Sequence, residues 1–186
     1  YGTEYQPEPG DYVRSALTSG LSIAEKVGVN PYKFGMIGST DSHTGLSSAE
    51  ERNFWGKYPN DSTPETKDQS IIGVTDNSGW SMSAAGLAAV WAEENTREGI
   101  YEAFKRKEVY ATTGPRLRLQ MFASWAFPKN AENSNNIAEV GYAHGVPMGG
   151  DLLRNESARA PQFLLRAVKD PVGANLDRVQ IVKGWL

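Results

Sequence analysis

The sequence contains no cysteine and only two histidines, His43 and His144, among its 186 residues. The lack of cysteine excludes disulfide bonds, thiolate chemistry and zinc sites built from cysteine. Since proteins without disulfides occur both in the cytoplasm and in the periplasm, the location of the chain stays open. The scarcity of histidine also limits any metal site that the chain can build from imidazole groups.

The sequence also lacks a large excess of one charge, and it has no long apolar run. Nineteen basic and 22 acidic residues give a net charge of −3, and the basic run 105–107 is explained by its place at a predicted helix end. We therefore expect no nucleic-acid partner. No apolar run approaches the roughly 20 residues of a membrane-spanning helix, so no membrane span is expected.

The pattern of residues 1–115 predicts an α/β layer domain with at least partly parallel strands. Asp11 is placed to cap a first helix, Gly28 to end it, and Asn95 or Thr96 to cap a second. Predicted strands at 32–37, 86–92 and 109–112 surround this second helix, which spans 97–107. The segment 46–83 lacks periodicity but carries the aromatic residues Phe54, Trp55, Tyr58 and Trp80. It is interpreted either as a lid over a site or as a packed surface loop.

Residues 116–186 show a different texture. Alternating apolar and polar residues at 117–122, 162–168 and 176–182 predict strands, and no helical period is seen. We therefore predict a small antiparallel β-sandwich. Because the chain begins without methionine and stops within a predicted strand, we expect it to be a fragment of a longer protein.

Asp41 and His43 are the candidate metal ligands. They stand two positions apart directly after the predicted strand at 32–37. In extended backbone alternate side chains point the same way, so a carboxylate and an imidazole would leave the strand end side by side. Zinc, manganese and iron accept such ligands, and barrel enzymes carry their sites at the C-terminal ends of strands. The alternative is a turn in which Asp41 caps a backbone N–H and His43 has no role.

Two arginines are candidate anion binders for a small-molecule substrate. Arg97 opens a predicted helix, where backbone N–H groups favour an anion. Arg116 follows a Thr-Gly-Pro turn and has the geometry to grip a phosphate or carboxylate with two hydrogen bonds. The alternatives are solvent exposure and ion pairs with nearby glutamates. His144 lies in a segment rich in turn residues and is interpreted as a surface histidine.

Several motifs together resemble the DUF3604 family: 34–45, 95–98, 108–116, 145–151 and 177–185. That family is similar to the PHP metal-dependent hydrolases, including carbaryl-hydrolase-like relatives. The resemblance implies the C-terminal part of a distorted (β/α)7 barrel in residues 1–115, followed by the β-sandwich in 116–186. It also implies that Asp41 and His43 match the last Asp-x-His ligand motif of such barrels.

The resemblance implies a hydrolase that cleaves ester, phosphoester or carbamate bonds with a metal-activated water. No His-x-His motif is present, so the remaining ligands would lie in a missing upstream part, and the fragment alone should be inactive with little bound metal. Exposed barrel surface would then favour a homo-oligomer or contact with that missing part. The competing hypothesis is a non-catalytic binding or interaction module with a degenerate barrel.

Overall fold

The structure is a computed structural model that describes residues 6–45, 56–61, 63–69, 78–82, 86–155 and 159–186. The chain divides into two compact units, Tyr1–Phe34 with Arg178–Leu186, and Gly35–Asp177.

The first unit is built on one helix, α1, which spans Val13–Val27. Gly28 ends it as predicted, with a φ of 80° and an N–H that donates to the Ala24 carbonyl. The predicted cap at Asp11 is wrong, because Tyr12 precedes the helix and Asp11 instead accepts a hydrogen bond from the Glu8 N–H at 2.8 Å. Residues 176–182 form no strand, because alternation alone supplies no partner for their backbone groups.

The second unit begins with a two-stranded sheet of β1 (Leu87–Val90) and β2 (Val109–Thr112), which are joined through the helix α2 (Arg97–Arg106). Thr96 caps α2 as predicted, since its side chain accepts a hydrogen bond from the Gly99 N–H. The strands are antiparallel, with Leu87 opposite Thr112. The prediction of two strands and a helix is confirmed here, whereas the parallel arrangement is wrong.

The chain before the candidate metal ligands lies against this sheet without forming the predicted strand at 32–37. A Cβ atom placed on Gly35 would lie 2.8 Å from the Val109 side chain. One placed on Gly38 would lie 2.9 Å from the carbonyl oxygens of Leu87 and Thr112. The segment 35–38 therefore runs alongside β2 in the same direction, and the close approach at positions 35 and 38 requires glycine there.

The second sheet has three antiparallel strands in the order β4-β3-β5. They span β3 (Arg118–Ser124), β4 (Val146–Pro147) and β5 (Gln162–Val168). The strands predicted from the alternating patterns at 117–122 and 162–168 are therefore confirmed. In the pairing of β3 with β5, Arg118 faces Val168 and Ser124 faces Gln162.

A helix that the sequence did not predict, α3 (Ile137–His144), packs on this second sheet. The core between them holds Phe122, which is 1% exposed, together with Ala131, Ile137 and Leu164. Gly141 of α3 meets the Phe122 ring directly, since a Cβ atom at this position would overlap it. The predicted β-sandwich is therefore replaced by a helix on a sheet within the described residues.

The prediction of a (β/α)7 barrel is wrong. The part of the chain that the structure describes contains three α-helices and small antiparallel sheets, with no closed barrel. The physical reason lies in the strand pairing: such a barrel needs parallel neighbours joined by crossover helices, whereas α2 joins two antiparallel neighbours. The chain is a mixed α/β protein with little helix, and the predicted division at residues 115 and 116 stays a prediction.

No helix within the described ranges is both long enough and apolar enough to cross a membrane.

The contact between Gly141 and Phe122 predicts the effect of adding one methyl group. Gly141→Ala should lower the free energy of unfolding by about 1–3 kcal/mol through overpacking, despite the better helix propensity of alanine. Urea unfolding followed by circular dichroism measures this difference. Gly45→Ala is the control, because a Cβ atom there meets nothing within 4 Å. Equal stability of the two variants would contradict the close packing of Gly141 against Phe122.

Candidate functional site

The candidate metal ligands lie in a turn, not at the end of an extended strand. Asp41 has a φ of 53°, in the left-handed region that aspartate tolerates better than most residues. Hydroxyl groups satisfy successive N–H groups of this turn: Ser39 Oγ accepts from Asp41, and Thr40 Oγ1 from Ser42. The predicted alternation of side chains is therefore wrong, although the turn still brings Asp41 and His43 into one loop.

Asp41 forms an ion pair with Lys57, whose ammonium group contacts Oδ2 of the carboxylate. The hydrogen bond from Lys57 and its positive charge hold the pKa of Asp41 below its usual value. The same hydrogen bond raises the pKa of Lys57. Lys57 thus occupies one carboxylate oxygen, for which a metal ion would have to compete.

The ring of His43 is oriented by a hydrogen bond to the backbone of Asp41. Its Nδ1 atom lies 2.8 Å from the Asp41 carbonyl oxygen. A carbonyl oxygen only accepts, so Nδ1 must carry the proton, and the neutral ring presents its lone pair on Nε2. Histidines that bind metals commonly have this arrangement, in which one ring N–H donates to a carbonyl and the other nitrogen faces the ion.

Residues of the predicted lid segment hold this loop in place. The His43 N–H donates to the Lys57 carbonyl at 2.8 Å, and the His43 and Tyr58 rings lie 4.7 Å apart. Phe54 and Trp55 lie outside the described residues, and Trp80 is 70% exposed. The contacts of Lys57 and Tyr58 place part of the segment 46–83 against the candidate ligands, while a lid motion stays a prediction.

The donor set of the loop fits a divalent ion only in part. Asp41 offers a carboxylate oxygen and His43 an imidazole nitrogen, which suit zinc, manganese or iron. Among the residues that the structure describes, no group of three or more such side chains is close enough to hold an ion. Because zinc sites use three or four protein ligands, further donors are needed.

A second cluster of functional side chains surrounds Glu108, which is only 3% exposed. Arg106 Nε donates to Glu108 Oε1 at 2.7 Å, and the Tyr142 hydroxyl donates to Oε2. Burial of the hydroxyl, together with the hydrogen bond to Glu108, raises the pKa of Tyr142 to about 12. A buried carboxylate is costly unless it is paired, so these two donors compensate for its burial.

This cluster forms one wall of a cleft with a volume of about 590 Å³. Trp91, Glu93, Gln120 and Pro147 contribute other parts of the wall. Trp91 is fixed there by two hydrogen bonds: its indole N–H donates to the Leu119 carbonyl at 2.8 Å, and its backbone N–H donates to the Glu108 carbonyl.

A protein-family model described as "Protein of unknown function (DUF3604)" matches residues 2–186, which is nearly the whole chain. The chain belongs to the DUF3604 family. No curated protein and no solved structure matches the chain. The family description names no activity, so the DUF3604 match leaves the hydrolase prediction and the relation to PHP enzymes as proposals.

The other residues that the sequence singled out, Arg97, Arg116 and His144, lie at exposed positions. Arg97 begins α2, where the Thr96 side chain already binds the Gly99 N–H. Arg116 is held by its backbone N–H, which donates to Asp170 Oδ2 at 2.6 Å. His144 is the last residue of α3, not part of a turn, and is exposed as expected. The substrate-binding roles of Arg97 and Arg116 stay predictions.

Sequence reasoning missed Glu108 and Tyr142 as members of one cluster. The signal that could have indicated Glu108 is a charged residue directly before the apolar strand Val109–Thr112. Its partner Tyr142 lies 34 positions away on a helix that was not predicted, so no local pattern joins the two.

The ion pair of Asp41 predicts a change in its titration. In Lys57→Met, the loss of the hydrogen bond and of the positive charge should raise the pKa of Asp41 towards its ordinary value. Carbon-13 NMR of the aspartate carboxyl groups over an acidic pH range measures this shift. Lys26→Met, which removes an exposed lysine from α1, is the matched control. An unchanged Asp41 titration in Lys57→Met would contradict the ion pair.

The raised pKa of Tyr142 predicts a loss of stability at high pH. The folded state keeps this proton up to about pH 12, whereas the unfolded chain releases it near the ordinary value of 10.0. The stabilisation is therefore complete below pH 10.0 and is lost as the pH rises to about 12.

Tyr142→Phe should remove this pH-dependent component of stability. Absorbance titration of the phenolates should show that the variant lacks a group that titrates near pH 12. Tyr101→Phe, at an exposed position of α2, serves as the control. Loss of a group that titrates near pH 10.0 in Tyr142→Phe would contradict the predicted environment.

Proposed function

We propose that Asp41 and His43 bind a divalent metal ion, and that the chain is part of a metal-dependent hydrolase related to the PHP enzymes. The observation that carries this proposal is the hydrogen bond from His43 Nδ1 to the Asp41 carbonyl, which leaves Nε2 available as a ligand. The Asp41 carboxylate supports it as a second donor in the same loop, one that already binds a cation, the Lys57 ammonium group. Zinc, manganese and iron suit this pair of donors.

The bound ion would supply Lewis acidity for the hydrolysis of an ester, phosphoester or carbamate. The chain's own residues would hold the ion and orient it: His43 through Nε2, and Asp41 through its carboxylate. Arg116 and Arg97 would bind the anionic part of a small-molecule substrate. Further metal donors would come from another chain or from residues outside the described ranges, so a homo-oligomer or another part of the same protein is the expected partner.

Lys57 gives this proposal a specific energetic consequence. Its ammonium group already pairs with Asp41 Oδ2, so a metal ion must compete with a cation for the same carboxylate. Removal of the lysine charge should therefore strengthen metal binding. A purely structural role of the loop predicts no such gain.

Calorimetric titration of the chain with Zn²⁺ and Mn²⁺ tests the metal site. We expect weak binding, weaker by about tenfold in His43→Gln and in Asp41→Asn, and tighter in Lys57→Met. His144→Gln is the matched control, because it removes the other histidine of the chain. Binding that His43→Gln leaves unchanged would overturn the metal site, and a submicromolar stoichiometric site in this chain alone would overturn the need for further donors.

Hydrolysis assays with ester, phosphodiester and carbamate substrates test the activity in the full-length protein. We expect metal-dependent turnover that falls in Asp41→Ala and His43→Ala. Unaltered turnover in both variants would end the hydrolase proposal for this loop. Absence of turnover, together with intact binding of small molecules, would favour the competing binding module.

A further inference from the structure

A groove on the second unit carries two cationic side chains that have no acidic partner among the residues that the structure describes. A cavity of about 240 Å³ shares Trp91, Gln120 and Ala138 with the 590 Å³ cleft beside Glu108. The two cavities are therefore adjoining compartments of one groove. The smaller compartment is lined in addition by Arg118, Arg166 and by apolar residues of α3 and β5.

The strand register places the two arginines on the same face of the second sheet. Arg118 and Gln120 are two positions apart on β3, and Gln120 faces Arg166 on β5. Arg118 and Arg166 are thus diagonal neighbours, a relation in which Cα atoms are about 7–8 Å apart and long side chains can meet. Both arginines line the smaller compartment.

Neither guanidinium group has an ion pair or a side-chain hydrogen bond within the described portion of the chain. By contrast, Arg106 in the neighbouring compartment is paired with Glu108. Two unpaired like charges on neighbouring strands repel each other. An anion between them would replace this repulsion by charge-assisted hydrogen bonds, and a carboxylate or phosphate matches the planar donors of arginine.

Apart from the two arginines, Gln120 and Asn136, the residues that line the smaller compartment are apolar. The Trp91 indole N–H donates to the Leu119 carbonyl, so the tryptophan contributes its apolar ring to the compartment and no free polar group. Ile137, Ala138 and Val168 line the same compartment. Pockets of this kind bind the apolar body of a ligand, while a few polar groups fix its charged end.

We propose that this groove binds a small organic anion, in which a carboxylate or phosphate group is joined to a flat apolar body. Arg118 and Arg166 bind the anionic group, and Trp91 contacts the body. The site is separate from the proposed metal loop and does not depend on it, so EDTA should leave the binding unchanged.

Calorimetry with the whole chain in the presence of EDTA tests this proposal, with phenyl phosphate, benzoate, inorganic phosphate and benzyl alcohol as probes. We expect at least one aryl anion to bind more tightly than inorganic phosphate, and benzyl alcohol not to bind. A preference for phenyl phosphate or for benzoate identifies the anionic group. Arg118→Gln and Arg166→Gln should each weaken binding by about tenfold, and higher salt should weaken it as well.

Arg14→Gln is the matched control, since it removes one exposed arginine from the other unit. It should bind the aryl anion like the unmodified chain. The proposal is overturned if no aryl anion binds at millimolar concentration, or if inorganic phosphate binds as tightly. It is also overturned if Arg118→Gln and Arg166→Gln, with unchanged melting temperatures, bind as well as Arg14→Gln, or if binding requires a metal.

Discussion

A close contact between backbone atoms at Gly38, Gly86 and Thr112 determines where the candidate metal loop lies. A Cβ atom on Gly86 would overlap the Thr112 carbonyl, and it would lie 3.4 Å from the Gly38 Cα atom. Only residues without side chains allow this approach, and it brings the segment before Asp41 to the end of β2. The glycines therefore allow the segment before the loop to lie against the sheet, and the contacts of His43 with Lys57 and Tyr58 hold the loop itself.

The polar clusters around Asp41 and around Glu108 differ in how far their charged groups are exposed to solvent. The Asp41 side chain is 65% exposed and that of Lys57 is 25% exposed, so Lys57 influences the titration of the carboxylate while solvent still screens the pair. Around Glu108 the carboxylate is buried, and two donors are needed merely to compensate for the loss of water. The first arrangement leaves the carboxylate accessible to solvent. The second arrangement joins Arg106, Glu108 and Tyr142, and it forms one wall of the groove.

The parts of the fold that could be predicted from sequence are those with local causes. Gly28 ends a helix and Thr96 caps one because each acts on backbone groups within four positions. Helix α3 was missed because it is only eight residues long and contains a glycine, which is explained only by Phe122 on another element. The antiparallel pairing and the partners of Glu108 likewise depend on residues that are distant in sequence. For the candidate site, the proximity of Asp41 and His43 was predictable from their spacing, whereas the left-handed backbone at Asp41 was not.

The proposed metal site requires that His43 donates through Nδ1 and presents Nε2 to the ion. Nitrogen-15 NMR of the imidazole side chains tests it directly, since the chain has only two histidines and His144→Gln assigns both signals. The account predicts that neutral His43 carries its proton on Nδ1, and that added Zn²⁺ shifts the Nε2 resonance of His43. A neutral ring protonated on Nε2, or a spectrum of His43 that Zn²⁺ leaves unchanged, would contradict the account.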